Sequence, residues 1–208
     1  MHIEFQGVTL SFNGREIIRS FSLEIRDGER ISIGGPSGCG KSSLLHVLTG
    51  FVKPSAGVVK VDGNVLHASA IGQLRKKMAY MPQEVQFNDL EVRQFIMMPF
   101  QFRHNRSIAP DEKTIHRHLD QLGLNPSILD KPMQEISGGE KQRISLTACL
   151  LLQRKLLLLD EPTSSLDREM KNRVMDHIFS LPDVTMLSAS HDDEWVSRCD
   201  KYVNIKNL

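Results

Sequence analysis

One segment of the chain combines glycines, a lysine and a serine at a spacing suited to binding phosphate groups. Residues 35–42 read GPSGCGKS, which fits the pattern G-x-x-x-x-G-K-[ST]. The glycines allow a tight turn whose backbone N–H groups point inward at phosphate oxygens. Lys41 would place a positive charge on the β- and γ-phosphates, and Ser42 would offer its hydroxyl to Mg²⁺. The pattern predicts a nucleoside triphosphate site built from Gly35, Pro36, Ser37, Gly38, Cys39, Gly40, Lys41, Ser42 and Ser43.

A pair of adjacent carboxylates supplies a second kind of chemistry. Asp160 and Glu161 follow the wholly apolar run Leu156–Leu159, which predicts a buried strand. Open α/β sheets bind ligands at the carboxyl ends of their strands. We therefore expect Asp160 to reach the Mg²⁺ shell, and Glu161, which points in a different direction, to polarise an attacking water as general base. The alternative is a pair of solvated acids that cap the next element.

A third candidate is the segment ISGGEKQR at residues 136–143, which opens a predicted helix running to about Leu152. Ser137 with two following glycines gives a helix N-terminus with exposed N–H groups, which is an anion-binding arrangement. A chain that already carries a phosphate-binding loop does not need a second phosphate site for its own nucleotide. The alternative is a capped helix start with a Gly-Gly hinge.

Apolar patterning predicts the elements that must position these groups. Predicted strands in the first third are Phe21–Ile25, Arg30–Ile33 and Val58–Val61, and helical spacing prevails from about Asp89 to Leu152. Alternating strands and helices return in the last third, at Leu156–Leu159, Arg168–Phe179, Val184–Ala189 and Lys201–Ile205. Fully apolar strands alternating with helices favour a parallel sheet covered on both faces. The chain is therefore predicted to form one α/β core with a helical insertion.

Composition limits the classes of function that the chain can serve. Its 208 residues include 26 Lys and Arg and 25 Asp and Glu, a formal net charge of +1 that argues against nucleic-acid binding by bulk charge. Cys39, Cys149 and Cys199 lie far apart, so we predict neither a disulfide framework nor a zinc module, and expect a reducing intracellular compartment. The most apolar stretch, Ala148–Leu159, contains polar residues and is too short to span a bilayer. No targeting or membrane segment is predicted.

Together these motifs resemble those of the ATP-binding cassette (ABC) family of ATPases, in the family's order and over essentially the whole chain. The segments that carry the resemblance are Gly35–Ser42 (Walker A), Tyr80–Gln83 (Q-loop), Ile136–Gln142 (signature, with Ile in place of Leu), Leu156–Glu161 (Walker B), Ser164–Asp167 (D-loop, with Ser165 in place of Ala) and Ser190–Asp192 (H-loop). The resemblance implies an α/β P-loop NTPase (RecA-like) core with an N-terminal antiparallel β region and a helical subdomain insertion. It implies a single domain over 1–208, with a core lobe at about 1–83 and 153–208 and a helical lobe at about 84–152.

The resemblance also accounts for the second anion site. ABC ATPases pair head to tail, and the signature of one cassette closes on the γ-phosphate held by the other. The residues implied to act in trans are Ser137, Gly138, Gly139, Glu140 and Gln142. Gln83 would contact Mg²⁺ and the water, His191 would hold the γ-phosphate, and Asp167 would act across the dimer interface. For His191 the alternative is a surface histidine at a strand end.

Two further residues have a possible role by their position. Phe12, in the segment LSFNG, lies where the family often has Tyr, and its ring would stack on adenine. The alternative is a core phenylalanine beside the hairpin. Cys39 lies inside the phosphate-binding loop, where redox sensitivity is a hypothesis and a passive position is the alternative.

The resemblance implies an ATPase that uses ATP and Mg²⁺, forms a homodimer and drives a separate membrane permease from the cytoplasmic face of the cell membrane. The Met- and Phe-rich segment Phe95–Phe102 suits a docking surface for that permease or forms the core of the helical lobe, and the two roles are compatible. The alternative function is a soluble ABC-type ATPase acting on nucleic acid or ribosomes. A P-loop kinase or GTPase has no use for the signature segment.

Among transporter ATPases, the middle segment resembles a bacterial branch of metal (iron) exporters. Lipoprotein-release and macrolide-export ATPases are competing assignments. Because the permease selects the cargo, metal ion, lipid and drug all stay open as the exported substrate.

Overall fold

The computed structural model describes residues 1–85, 87 and 89–205. The chain divides into two compact units, the first made of Met1–Tyr80, Lys155–Glu161 and the stretch from Pro182 onward, the second of Met81–Arg154 and Pro162–Leu181. The strands are β1 (Ile3–Phe12), β2 (Arg15–Ile25), β3 (Arg30–Gly34), β4 (Ala56–Val61), β5 (Asn64–Val65), β6 (Met78–Met81), β7 (Leu156–Asp160), β8 (Thr185–Ala189) and β9 (Lys201–Asn204). The α-helices are α1 (Lys41–Thr49), α2 (Ala68–Arg75), α3 (Val92–Met97), α4 (Glu112–Gln121), α5 (Gly138–Leu151), α6 (Arg168–Phe179) and α7 (Asp193–Ser197).

An antiparallel sheet in the first unit is ordered β2-β1-β4-β5. β1 and β2 form a hairpin around Asn13 and Gly14, whose φ angles of 50° and 77° are the positive values that a type I′ turn requires. Phe5 on β1 and Phe21 on β2 pack edge to face with ring centroids 5.5 Å apart. These strands form the antiparallel β region that the family resemblance implies for the N-terminal part of the chain.

A second sheet in the first unit is ordered β6-β7-β8-β3-β9. β7 pairs with β8, β8 with β3 and β3 with β9, each in parallel. Every residue of β7 and β8 is buried, which explains why the sequence of β7 is almost entirely apolar. Asp160 and Ile33 both pair with Ala189, so the carboxyl ends of β3, β7 and β8 lie at one edge of the sheet. The segments that follow these three strands are therefore neighbours.

The second unit has an apolar core of its own, to which α3, α4 and α5 contribute. Phe95, Ile96 and Phe100 are buried in it, whereas Phe102 is 66% exposed. At these buried positions the segment Phe95–Phe102 contributes to the core of the second unit, as in the interpretation of it as the core of the helical lobe. Within the described ranges, no helix is long and apolar enough to cross a bilayer.

Residues 162–181 pack with the second unit, although the sequence predicts them in the core lobe of 153–208. The reason is that α6 packs against α4. Arg173 on α6 donates hydrogen bonds to the carbonyl oxygen of Gln121, at 3.2 Å, and to that of Asp120. These carbonyls belong to the last turn of α4, and that of Asp120 also accepts a hydrogen bond from the backbone N–H of Gly123 at 3.0 Å. The wider division into a core lobe and a helical lobe stays a prediction.

Two histidines meet where α4 and α6 pack, and neither is well placed to carry a charge. The rings of His118 and His177 lie edge to face with centroids 6.3 Å apart. Nδ1 of His118 and Nε2 of His177 are buried and, as far as the described part of the chain shows, have no hydrogen-bond partner. Burial lowers the pKa of His118 from 6.5 to about 4, with smaller contributions from Arg117 and His177, and burial also lowers the pKa of His177.

We predict that His118→Leu makes the chain less sensitive to acid. Because the folded pKa of His118 is depressed, the unfolded chain binds more protons below pH 6.5, and stability falls as pH drops from 6.5 towards about 4. The melting temperature of each protein should fall between pH 7 and pH 5, and the fall should be about 2–4 °C smaller in the variant than in the wild type. A difference of this size corresponds to about 1 kcal/mol in a chain of this length. Thermal melts of His104→Leu, an exposed histidine in the same unit, provide the control. Equal acid losses in all three proteins would contradict the prediction.

Candidate functional site

The glycine-rich segment forms a loop between β3 and α1 in the first unit. Gly35, Gly38 and Gly40 have φ angles of 142°, 78° and 101°, which L side chains rarely adopt. A Cβ on Gly40 would also lie 2.9 Å from the side chain of Ile18 on β2, so strand and loop approach closely there. The predicted site residues Pro36 and Ser37 are exposed together with Gly38, and Gly35, Cys39 and Gly40–Ser43 are half-buried. This conformation and exposure suit a loop that presents its backbone to phosphate.

Two positive features converge on this loop. Lys41 lies across it, and its Nζ donates hydrogen bonds to the carbonyl oxygens of Gly35 at 2.9 Å and Pro36 at 3.3 Å. α1 begins at Lys41, and Gly40 at its N-cap provides no side-chain acceptor for the first N–H groups. The positive end of the helix dipole therefore faces the same loop.

Ser42 and Asp160 lie together at the end of β7. Asp160 is 3% exposed, and the Ser42 hydroxyl donates a hydrogen bond to its carboxylate. Burial raises the pKa of Asp160 and the charge of Glu161 adds to the rise, whereas Ser42, His46 and Lys41 oppose it. Oδ1 of Asp160 is buried and has no hydrogen-bond partner among the residues that the structure describes. Because this buried oxygen lies beside the Ser42 hydroxyl, Asp160 and Ser42 together fit a pair of Mg²⁺ ligands.

The remaining ligands of such an ion would not come from a protein cage. In the described part of the chain, no three His, Cys, Asp or Glu side chains are grouped so that they could hold a metal by themselves. Mg²⁺ characteristically binds through one or two protein ligands and takes its other positions from phosphate and water. The site fits an ion that arrives together with a nucleotide.

We predict that Asp160→Asn raises the melting temperature measured without nucleotide and removes Mg²⁺-dependent hydrolysis. Since the folded pKa of Asp160 lies above its ordinary 3.8, its ionisation destabilises the fold as pH rises through and above 3.8, and the loss persists at pH 7. Asparagine is uncharged and should gain about 2–4 °C, equivalent to about 1 kcal/mol. The melt is compared with that of Asp89→Asn, an exposed carboxylate. A melting temperature below that of the wild type would contradict the prediction.

Glu161 and His191 form a pair beside Asp160. Glu161 is 6% exposed, and its Oε1 lies 2.9 Å from Nδ1 of His191. The Glu161 N–H donates to the carbonyl of Ala189, which extends the parallel pairing one residue beyond β7. Its φ of 48° is unusual for a non-glycine residue and turns the chain away from the strand direction. The arrangement places a carboxylate that can act as base against an imidazole that can orient it.

The second unit displays Ser137 at the start of α5. Ser137 is the N-cap, and its Oγ accepts a hydrogen bond from the backbone N–H of Glu140 at 3.4 Å. The Glu140 carboxylate in turn accepts hydrogen bonds from the Ser137 backbone N–H at 3.0 Å and from its hydroxyl at 2.6 Å. This reciprocal arrangement is a capping box, and it lowers the pKa of Glu140. Ser137 and Gly138 are exposed, and Gly139 is half-buried.

Gln142 is buried, unlike the start of the helix, and its amide is used within the same unit. Its Nε2 donates to Oγ of Ser164 at 3.1 Å, and its Oε1 accepts from the backbone N–H of Ser165 at 3.1 Å. A Cβ on Gly139 would lie 2.8 Å from the Ser165 carbonyl oxygen, so α5 and this segment are in close contact. Gln142 thus positions the segment that leads into α6.

Gln83 lies in a shallow cleft of about 190 Å³ in the second unit, which Gly138, Gln142 and Ser165 also line. Asp167 is exposed and caps α6 by accepting a hydrogen bond from the Met170 N–H at 3.0 Å. The structure therefore brings Gln83 and the signature segment together with Ser165, which precedes Asp167 by two residues, within this unit.

Phe12 lies at the tip of the hairpin, where it pairs with Arg15 across the turn. It is 38% exposed. The interpretation of Phe12 as a core phenylalanine is therefore wrong, and its role in adenine stacking stays a prediction.

Two arrangements in these units were not predicted from the sequence. One is the anchoring of residues 164–165 by Gln142, and the other is the contact of His46 with Tyr80, whose Oη lies 2.9 Å from Nε2 of His46. The glutamine five residues after Ser137 is a weak sequence signal of the Gln142 anchor, because a buried side-chain amide needs hydrogen-bond partners. The second carries no signal in the sequence, because it joins residues 34 positions apart.

Three features lie at one edge of the parallel sheet: a phosphate-binding loop, a buried carboxylate that suits Mg²⁺, and a carboxylate–imidazole pair. This combination defines a P-loop nucleotide-binding ATPase. The chain belongs to the ABC transporter family, whose profile matches residues 18–164. This membership and the α/β fold confirm the resemblance drawn from the motifs, and with it the assignment as an ATPase.

Individual relatives are similar over most of their own length. The chain is 31% identical over 207 residues to the "Probable iron export ATP-binding protein FetA" of Escherichia coli (strain K12), covering 98% of this chain and 91% of that protein. It is 34% identical to the lipoprotein-releasing system ATP-binding protein LolD of Legionella pneumophila (strain Paris), covering 89% and 85%. Among solved structures, the dimeric ATP-binding cassette MJ0796 bound to ADP and Pi matches with a TM-score of 0.82 at 23% identity, over 97% of this chain and 93% of that one. The structural match concerns the fold.

Proposed function

We propose that the chain is the ATP-hydrolysing subunit of a membrane transporter. Two copies close head to tail around ATP, and this closure drives a separate permease. The first unit supplies the phosphate loop, Asp160 and the Glu161–His191 pair, while the second exposes Ser137 and Gly138 at a helix N-terminus. The exposure of these residues at the start of α5 is the observation that carries the proposal, because the loop in the first unit already serves the chain's own nucleotide.

Within each site we assign roles to this chain's own residues. The loop N–H groups and Lys41 bind the β- and γ-phosphates, and Phe12 stacks on adenine. Ser42 and Asp160 hold Mg²⁺, which supplies charge neutralisation at the phosphates, and Gln83 faces the ion and the attacking water.

The chemical step falls to Glu161 and His191. Glu161 accepts a proton from the water that attacks the γ-phosphate, and His191 donates a hydrogen bond where charge develops. The signature residues and Asp167 act from the partner copy.

We propose the permease partner and the cellular location on the basis of the family and its named relatives. Those relatives are named for probable iron export and for lipoprotein release, and others at comparable identity are named for import of cobalamin or of spermidine and putrescine. We propose an exporter subunit located at the cytoplasmic face of the cell membrane through its permease, with metal ion, lipid or drug as cargo selected by that permease.

The concentration dependence of ATP hydrolysis tests this proposal. If two copies build each site, the specific activity of the purified chain with Mg²⁺ rises with protein concentration and levels off once dimers dominate. If one copy suffices, the specific activity is constant, and the head-to-tail proposal fails. Reconstitution with a membrane protein that co-purifies with the chain then tests transport, with stimulation of hydrolysis by that protein as the expected result and an unchanged rate as the contrary one.

A further inference from the structure

The imidazole of His191 is only loosely enclosed by the structure around it. Its side chain is 69% exposed, and its Nδ1 lies 2.9 Å from Oε1 of Glu161. Packing against neighbouring side chains therefore does little to keep the ring in one orientation, whereas a catalytic hydrogen bond needs a well-defined donor position. The backbone of residues 190–192 has to supply the precision that packing does not.

The segment that carries His191 is fixed to the sheet where it begins. Ser190 is fully buried, and its backbone N–H donates a hydrogen bond to the carbonyl oxygen of Ile33 on β3 at 3.1 Å. Its Oγ accepts a hydrogen bond from the backbone N–H of Asp192 at 3.2 Å. These bonds hold the backbone as it leaves β8, and the position of the far side of His191 depends on α7.

The helix α7 has five residues, too few to be stable without contacts to the rest of the unit. Asp192 is its N-cap and accepts a hydrogen bond from the backbone N–H of Glu194 at 3.0 Å. This cap is local, so it shapes the first turn but does not attach the helix to the sheet. A contact between α7 and the sheet is needed to fix this side of His191.

Trp195 on α7 provides that contact. It is fully buried, and its Nε1 donates a hydrogen bond to Oγ of Ser188 on β8 at 2.9 Å. The Ser188 hydroxyl, which is also fully buried, donates in turn to the carbonyl oxygen of Ile31 on β3 at 3.2 Å. Because buried polar groups need hydrogen-bond partners, the indole N–H and the serine hydroxyl hold each other in place. The indole thus joins α7 to two strands of the parallel sheet.

We propose that Trp195 is a positioning residue for His191 and acts through its hydrogen bond to Ser188. The inference rests on the proposed function, in which His191 donates a hydrogen bond where charge develops. Ser188 precedes His191 and Trp195 follows it, so the bond between their side chains closes the loop that carries the imidazole. Loss of this bond leaves the phosphate loop and Lys41 untouched and lets the imidazole move relative to Glu161.

The test compares the kcat and the KM of ATP hydrolysis by the full chain with Mg²⁺. Trp195→Phe keeps an aromatic ring and removes the N–H, and Ser188→Ala removes the acceptor. Each should lower kcat about 10-fold, within the 10²-fold that a displacement of about 1 Å can cost, and leave KM for ATP near the wild-type value. Ser188→Ala, which removes a single atom, tests the same bond if Trp195→Phe fails to fold.

Ser32→Ala is the matched control. Ser32 on β3 pairs directly with Ser188 and is equally buried, and its Oγ has no hydrogen-bond partner in the part of the chain that the structure describes. The substitution removes the same atom from the same sheet without breaking a hydrogen bond, so it should leave kcat at the wild-type value. A Ser32→Ala chain as slow as Ser188→Ala would indicate a general effect on the sheet and would overturn the proposal.

A combined variant tests whether Trp195 acts through His191. His191→Ala should itself be slow, and adding Trp195→Phe to it should slow hydrolysis no further. The proposal is overturned if Trp195→Phe and Ser188→Ala keep the wild-type kcat while His191→Ala is slow, or if Trp195→Phe slows the His191→Ala chain by the same factor as the wild type. A His191→Ala chain with wild-type turnover would instead remove the role that the proposed function gives to His191, and its positioning by Trp195 with it.

Discussion

Glu161→Gln is expected to bind ATP with near wild-type affinity and to hydrolyse it about 10²–10⁴-fold more slowly, the usual contribution of a general base. Glutamine has the size of glutamate and can still hydrogen-bond Nδ1 of His191, which lies 2.9 Å from Oε1. It cannot accept a proton from water. The phosphate loop and Lys41 are untouched, so the loss should fall on the chemical step and not on binding.

The same variant should accumulate as a dimer when ATP and Mg²⁺ are present, because closure precedes a step that it cannot complete. Phosphate release in a single turnover measures the rate, and light scattering during size-exclusion chromatography measures the mass. Glu24→Gln, an exposed carboxylate on β2, is the matched control and should hydrolyse ATP normally. A Glu161→Gln chain that remains monomeric with ATP and Mg²⁺ would count against head-to-tail closure, and one with wild-type turnover would remove Glu161 as the base.

The elements nearest the chemistry were predictable because local rules and burial agree there. The helix Arg168–Phe179 has the predicted bounds, since Asp167 caps it and its apolar residues recur at helical spacing. Leu156–Leu159 forms a buried strand because a parallel sheet covered on both faces needs apolar side chains on both faces of each strand. The capping box at Ser137 and Glu140 is likewise local, spanning a single helical turn.

The features of the fold and site that the sequence did not predict depend on contacts between residues far apart in the chain. The packing of α6 against α4 moves 162–181 into the second unit, although its sequence continues the α/β alternation of the core. The placement of Gln142 against Ser164 follows from a contact between residues 22 positions apart. The positive φ of Glu161 has no signature in a glutamate, because it is imposed by the sheet edge that holds its backbone N–H.

Ser137→Arg is expected to reduce hydrolysis to near background while ATP binding to the isolated chain stays close to wild type. The phosphate loop lies in the first unit and Ser137 in the second, where a long side chain at the exposed start of α5 blocks approach of a partner's phosphate. Loss of the Ser137 cap costs about 0.5–2 kcal/mol of stability. Ser137→Ala, which loses the cap without adding bulk, separates that cost from the block, and should retain more activity than the arginine variant.

Mixing the two inactive variants decides whether the signature acts from the partner copy. In a dimer of one Glu161→Gln chain and one Ser137→Arg chain, one site has both defects, and the other combines an intact Glu161 with an intact Ser137. Half of the dimers in an equal mixture are of this kind and each holds one working site of two, so activity should recover to about one quarter of wild type. The chains are mixed before ATP is added, because trapped dimers do not exchange. If both residues served the same copy's site, every site in the mixture would carry a defect, and no activity would return.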